Sequence, residues 1–211
     1  ASQQTVINNS TISASAIDTG DGGQVVIWSD GSTRFEGNIS ATGGEFAGSG
    51  GEVEVSGKER LFVDGNIDVG AARGETGTIL FDPKDIFIDE IDDSETEPTE
   101  DIFAEDENGY VTISQTQLEE LEGEITLQAD NDITVNQEIN TSESVEFNAG
   151  RSININADID TSRGNGNISL LGNDNGANAA NRNEGAANIN QGENTTLNAG
   201  SGSITIRLGS L

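Results

Sequence analysis

A chain with neither histidine nor cysteine must work with carboxylates, amides and a few cations, and this one carries 38 Asp and Glu against 9 Lys and Arg. Glu138 and Asp158 stand 20 residues apart, as do Asn140 and Asp160, and the surrounding sequence repeats at the same spacing. Side chains one repeat apart in a stacked repeat protein lie side by side, which makes Glu138, Asp158 and Asp160 a candidate acidic cluster. Such carboxylates could act as the pair of a retaining glycosidase, chelate Ca²⁺ through hard oxygen ligands, or repel one another in solvent. The catalytic option wants a base or an electrophile close by, and Arg151 is the cation nearest in register. Composition excludes the usual His-dependent triads, argues against zinc, and leaves neither a thiol site nor a disulfide framework. Ca²⁺ is therefore the one cofactor the residues suggest, with no cofactor as the plainer expectation.

Positioning these groups falls to the repeat itself. GGQVVIWSDGSTRFEGNISATGG from Gly22, GGEVEVSGKERLFVDGNIDVGA from Gly50 and the shorter GTILFDP from Gly77 match Val25 with Val53, Phe35 with Phe62, Gly37 with Gly65 and Ile39 with Ile67, at spacings of 27 or 28. Ile12 continues that register toward the start of the chain. A shorter unit follows, matching Ile125 with Val145, Leu127 with Phe147, Ile133 with Ile153, Val135 with Ile155 and Ile139 with Ile159, each at spacing 20. A loosened third version runs from Asn167 and includes an Asn/Gly/Ala loop over 174–185. One such unit cannot bury its apolar side alone, so copies must stack. Strand-like alternation with Gly and Asn at the bends predicts an all-β, right-handed parallel β-helix (a solenoid), the hand following from the crossover rule for parallel strands. Propeller blades need about 40 residues or more, and no fixed leucine ladder is kept. Eight or nine coils, at about 4.8 Å each, would make a rod of roughly 40 Å. Asn136, Asn148, Asn154 and Asn156 are expected to stack as amide ladders.

Alternation assigns faces. Val25, Ile27, Val53, Val55, Ile79 and Phe81 point inward, which leaves Val26, Trp28 and Leu80 as an apolar patch outside. That patch is either an aromatic platform for a ligand such as a sugar or a face covered by another part of the chain. The covering element would come from residues 83–113, an acidic insertion containing Pro98, or from the helix predicted over 114–122. Ser114 and Gln117 have capping-box spacing, Leu118 and Leu121 share a face, and Gly123 is placed to end the helix. The chain thus divides into coils of 27–28 residues over 1–82, the insertion, the helix, and coils of about 20 residues over 123–211.

A formal net charge of −29 repels nucleic acid and anionic membranes. No apolar run approaches the ~20 residues that span a bilayer, so membrane insertion is not expected. DTGDGGQ from Asp18 has a passing likeness to calcium-binding β-rolls but no nine-residue period, and the Gly-rich bend ending at Gly51 lacks the Lys-Ser/Thr of a phosphate loop. Uncapped apolar strands at both ends lead us to expect an internal piece of a longer exported chain.

GGQVVIWSDGSTRFEGNISATGG, GGEVEVSGKERLFVDGNIDVGA and GTILFDPKDIFI, with ITLQADNDITVN and SININADIDTS, closely resemble the repeat region of filamentous-haemagglutinin-like exoproteins of the two-partner secretion type. The likeness covers nearly the whole chain apart from the acidic insertion, and the secretion module's own motif is not found. It implies an extracellular or bacterial cell-surface β-helical shaft, non-enzymatic, exported through an outer-membrane transporter and serving adhesion, aggregation or biofilm contact. Implied partners are a cell-surface glycan or protein receptor, or another copy of the chain. Two other classes stand beside it: a polysaccharide-acting β-helix enzyme using Glu138, Asp158 and Arg151, and a calcium-stabilised extracellular filament.

Overall fold

The computed structural model describes residues 3–58, 60–90 and 110–210. In chain order the strands are β1 (Gln4–Ser13), β2 (Gln24–Ser29), β3 (Ser32–Ser40), β4 (Glu52–Gly57), β5 (Arg60–Val63), β6 (Asn66–Asp68), β7 (Thr78–Phe81), β8 (Asp85–Asp89) and β9 (Tyr110–Ser114). After a short helix, α1 (Gln115–Glu120), come β10 (Glu124–Ala129), β11 (Ile133–Val135), β12 (Ile139–Asn140), β13 (Val145–Ala149), β14 (Ile153–Ile155), β15 (Ile159–Asp160), β16 (Ile168–Gly172), β17 (Ile189–Gln191), β18 (Leu197–Asn198) and β19 (Ile204–Leu208). With 48% strand and 3% helix among the described residues the protein is all-β.

Its named strands pair in parallel. Most consecutive strands fall in different sheets, the exceptions being β5 with β6 and β8 with β9, and neighbours within a sheet come from successive passages of the chain. Seven strands form the longest, in the order β2-β4-β7-β10-β13-β16-β19; a second runs β9-β8-β11-β14-β17, a third β12-β15-β18, and a fourth joins β1, β3, β5 and β6. The alternation that the sequence displays explains the faces. Inward residues such as Val53, Ile79, Ile125 and Phe147 are fully shielded, while the residues between them reach the surface. One continuous core extends from Val25 to Ala199, so each apolar residue is buried by its equivalents on the neighbouring strands.

Register agrees with the repeat read from the sequence. All five 20-residue matches are paired residues: Ile125 with Val145, Leu127 with Phe147, Ile133 with Ile153, Val135 with Ile155, and Ile139 with Ile159. Val25 pairs with Val53 and Ile39 with Ile67 as expected. Phe35 does not pair with Phe62; its partner is Val63. Phe62 belongs to the outer set and lies against Arg34, whose guanidinium carbon is 5.0 Å from the ring centroid. Ile12 pairs with Ile39 at spacing 27 because a bulge after Asn8 shifts β1 by one residue, with Asn9 at φ 47°.

The middle of the chain departs from the expected boundaries. Residues 85–89 and 110–113 fall inside the interval predicted as insertion, yet they belong to strands β8 and β9 of the second sheet, which pair with each other. Alternating Ile86 and Ile88, like Val111 and Ile113, carry the inward pattern. Residues 91–109, which hold most of the acidic run, lie outside the described residues. The second sheet therefore has two strands, β8 and β9, where the seven-stranded sheet has only β7, and β9 packs against β5. Helix α1 is capped as predicted by Ser114, whose Oγ accepts from the Gln117 N–H at 3.1 Å. Gln117 does not complete the box; its amide donates to Asp64 at 3.2 Å. The helix does not shelter Trp28 or Leu80: it packs on β9 and β12 and buries Leu118 and Leu121 in the core. It stands where a strand below β12 would be, and Glu119 Oε1 accepts the Asn140 N–H at 2.8 Å in place of a backbone carbonyl. The longest sheet has seven strands, and the last repeat lengthens to 36 residues between Ile168 and Ile204.

Candidate functional site

Several inward strands are preceded by a short oxygen-bearing side chain, among them Asp85, Asp132, Ser144, Ser152, Asp158 and Asn167, and these side chains form ladders along the corners. Asp85 Oδ1 accepts the Asp132 N–H at 3.0 Å, Asp132 Oδ1 accepts the Ser152 N–H at 2.9 Å, and Ser152 Oγ accepts the Asn188 N–H at 3.1 Å. At another corner Ser144 Oγ accepts from Asn167 N–H and Asn167 Oδ1 from Ser203 N–H, both at 2.9 Å. Asp158 Oδ1 does the same for Thr196 N–H at 2.7 Å. A corner amide turned away from the strand ladder still needs an acceptor, and a short Asp, Ser or Asn one repeat below supplies it.

This places the predicted acidic cluster. Asn140 pairs with Asp160, which sets Glu138 beside Asp158 as expected. Asp158 is engaged by the corner bond, and Asp160 accepts from Ser162 N–H at 2.8 Å and Asn198 Nδ2 at 2.9 Å. Those Ser162 bonds hold the Asp160 carboxyl below its ordinary range. Among the described residues no group of three or more carboxylates converges as a metal site would require. Arg151, the base suggested for catalysis, is turned to another corner: its guanidinium grips Asp132 through Nε at 2.9 Å and through Nη2, and Nη1 reaches the Glu184 carbonyl at 3.1 Å. The Asp132 bond raises the already high pKa of Arg151. The three suggested groups are thus not brought together.

The outer apolar residues are separated as well. Val26 and Trp28 alternate along β2, 52% and 43% exposed, but Leu80 is half-buried on β7 with Glu54 between it and Val26 in the register. Glu54 in turn accepts from Ser56 Oγ at 2.9 Å. A charged residue within the column leaves a Val26–Trp28 pair rather than a three-residue patch. Helix α1 does not cover that pair, and the other expected cover, the acidic run over 91–109, lies outside the described residues.

Sequence reasoning missed the densest polar corner, between the first and second sheets. Asp130 accepts from Asn178 N–H at 2.7 Å and Asn181 Nδ2 at 2.6 Å, and buried Asn131 accepts from Asn183 N–H at 3.1 Å. The Asn/Gly/Ala loop is thereby clasped onto the stack. Burial pushes the nearby Asp82 carboxyl up to about 7, with the charges of Asp130 and Glu54 adding to it. The signal available was that Asp82, Asp130 and Asp85, Asp132 each follow or precede a strand at equivalent places. The expected amide ladders appear in two columns: Asn156 donates to Asn136 at 3.0 Å and Asn136 to Asp89 at 2.9 Å, while Asn190 donates to Asn154 at 2.9 Å. Asn148 lies outside them and bonds Glu146.

Among the described residues no helix is long and apolar enough to cross a membrane. Neither a protein-family model nor a curated protein matches the chain.

Proposed function

We propose that the chain is a right-handed parallel β-helix that serves as a shaft segment of a large bacterial secreted or cell-surface adhesin. The observation that carries this reading is the register: inward residues pair with their equivalents strand after strand in four parallel sheets. Such an array has only neighbour-to-neighbour interfaces, so it can fold progressively as it leaves an outer-membrane transporter, and it needs no disulfide. A net charge of −29 keeps the chain soluble in transit. The likeness of the repeats to filamentous-haemagglutinin-like exoproteins supplies the cellular setting: reach, display, and contact with a glycan or protein receptor or with another copy. Recognition on a rigid rod belongs to loops, and the acidic run over 91–109, which interrupts the repeat in the sequence, is the segment to which we assign it.

Beads coated with the protein test the proposal. Retention on host or bacterial cells is expected to fall when residues 91–109 are deleted. Equal retention of both forms and of uncoated beads defeats the adhesive role. Reducing sugar released from a glycan panel and lost in Asp158→Asn replaces it with the polysaccharide-acting class. A left-handed coil in a crystal structure removes the fold assignment and with it the family likeness.

A further inference from the structure

Asparagine is followed by glycine at three places, Asn108–Gly109, Asn165–Gly166 and Asn175–Gly176. Such a pair is chemically labile, because a residue without Cβ lets its own backbone nitrogen approach the carboxamide carbon of the side chain before it. The first pair lies outside the described residues, and the other two share one sequence signal in opposite surroundings. Asn165 stands at the corner before β16 with φ 56°, and its Oδ1 accepts the Ser201 N–H at 3.0 Å. Gly166 is buried, and its N–H donates to the carbonyl of buried Thr161 at 3.0 Å. Both reacting groups are therefore held by the stack. Asn175 and Gly176 are exposed, on the loop that Asp130 clasps, and no hydrogen bond ties the Asn175 carboxamide to another described residue. Gly176 N–H donates to Asp174 Oδ1 at 3.0 Å. The acceptor facing the attacking nitrogen is thus a carboxylate at Gly176 and a carbonyl at Gly166. A carboxylate can take the proton which that nitrogen must lose, and a carbonyl cannot.

We propose that Asn175 is a site of spontaneous deamidation, that Asp174 is its base, and that conversion unfastens the loop from the stack. Asp174 takes the proton from the Gly176 nitrogen, which forms a bond to Asn175 Cγ; the carboxamide nitrogen leaves as ammonia with that same proton. Water then opens the cyclic imide at either carbonyl and gives aspartate or isoaspartate. Isoaspartate runs the main chain through Cβ and Cγ, so it adds one methylene between two fixed points. Asp174 N–H is held on the Ala149 carbonyl at 2.9 Å, and Asn178 N–H on Asp130 at 2.7 Å. A longer path between them cannot keep both bonds in their present geometry, and either product adds a negative charge to a loop whose anchor, Asp130, is itself a carboxylate. The inference stands on the loop alone and does not require the shaft reading.

Peptide mapping by mass spectrometry of the folded protein aged at neutral pH provides the test, with the same protein aged in urea as its reference. In urea the two pairs should convert at similar rates. In the folded protein Asn175 should convert at least about tenfold faster than Asn165, which must wait for a local opening. Electron-transfer fragmentation separates isoaspartate from aspartate at the converted residue. Asp174→Asn keeps an acceptor oxygen but removes the base, and should slow Asn175 about fivefold. Gly176→Ala sets a Cβ 3.2 Å from Asp174 Oδ2 and should also slow it, by crowding the attacking nitrogen. Hydrogen exchange at Asn178 should quicken as isoaspartate accumulates. Equal conversion of Asn165 and Asn175 in the folded protein overturns the proposal. So does an Asp174→Asn variant that converts as fast as the wild type or faster, since the bond then only restrains the amide, and so does unchanged exchange at Asn178 in converted protein. Thermal unfolding of each variant shows that the fold is retained.

Discussion

Replacing Asp82 by Asn isolates the one carboxyl among the described residues that burial carries from an ordinary 3.8 to about 7. Asp82 follows β7 and faces Asp130, whose two oxygens accept from Asn178 and Asn181. Burial is the main cause of the rise at Asp82. The folded protein holds the proton of that carboxyl more tightly than the unfolded chain does, so folding stability from this group is fully present below about pH 4 and is lost as pH rises through about 7. At full weight the interval between 3.8 and about 7 is worth about 4 kcal/mol. The side chain is only partly shielded, and solvent screening brings the expected effect to about 1–2 kcal/mol. Urea unfolding of wild type and Asp82→Asn between pH 4 and pH 9 reads this as a difference, which cancels the contribution of the other acids. The Asp82→Asn variant should gain about 1–2 kcal/mol on the wild type between pH 4 and pH 8, with no further gain above. Parallel pH curves, or a carboxyl carbon resonance of Asp82 titrating near 4, would refute the reasoning.

In the column Ile86, Ile133, Ile153, Ile189, Ile153→Ala should lower unfolding free energy by about 2–5 kcal/mol in urea titration, since the cavity lies between two fixed neighbours. Ser114→Ala removes the acceptor that caps α1 and should cost about 1 kcal/mol in the same assay. Asp130→Ala unfastens the loop, so hydrogen exchange at Asn178 should accelerate well over tenfold while Ile168, inside the parallel ladder, keeps its protection. Asp158 and Asp160 are already occupied by hydrogen bonds, so melting temperature should respond alike to CaCl₂ and to NaCl of equal ionic strength; a calcium-specific rise abolished in Asp160→Asn would restore the acidic cluster as a cation site.

The legible part of the fold came from period and alternation. Five pairs at spacing 20 became five paired residues, because an inward side chain in a parallel stack has its own equivalents directly above and below it. Phe35 and Phe62 misled because spacing 27 matches residue type while the pleat has period 2; one residue of error turned Phe62 from the core to Arg34. Strands β8 and β9 were hidden by the acids around them, since charge density marks solvent contact of a segment without saying where pairing begins. Glu138, Asp158 and Arg151 illustrate the same limit for the site. Their register was readable, but which way each side chain turns depends on which corner amide lacks an acceptor.

By itself, then, the sequence determined that apolar residues at fixed intervals must stack in parallel and that neither thiol nor imidazole chemistry is available, since both follow from residue type and spacing along the chain. Only the tertiary structure decided that Arg151 serves Asp132 and that α1 fills a place in the wall instead of covering Trp28. Those outcomes are set by which circuits of the chain lie next to one another at the corners, where insertions and changes of repeat length alter the neighbours while leaving the local pattern untouched.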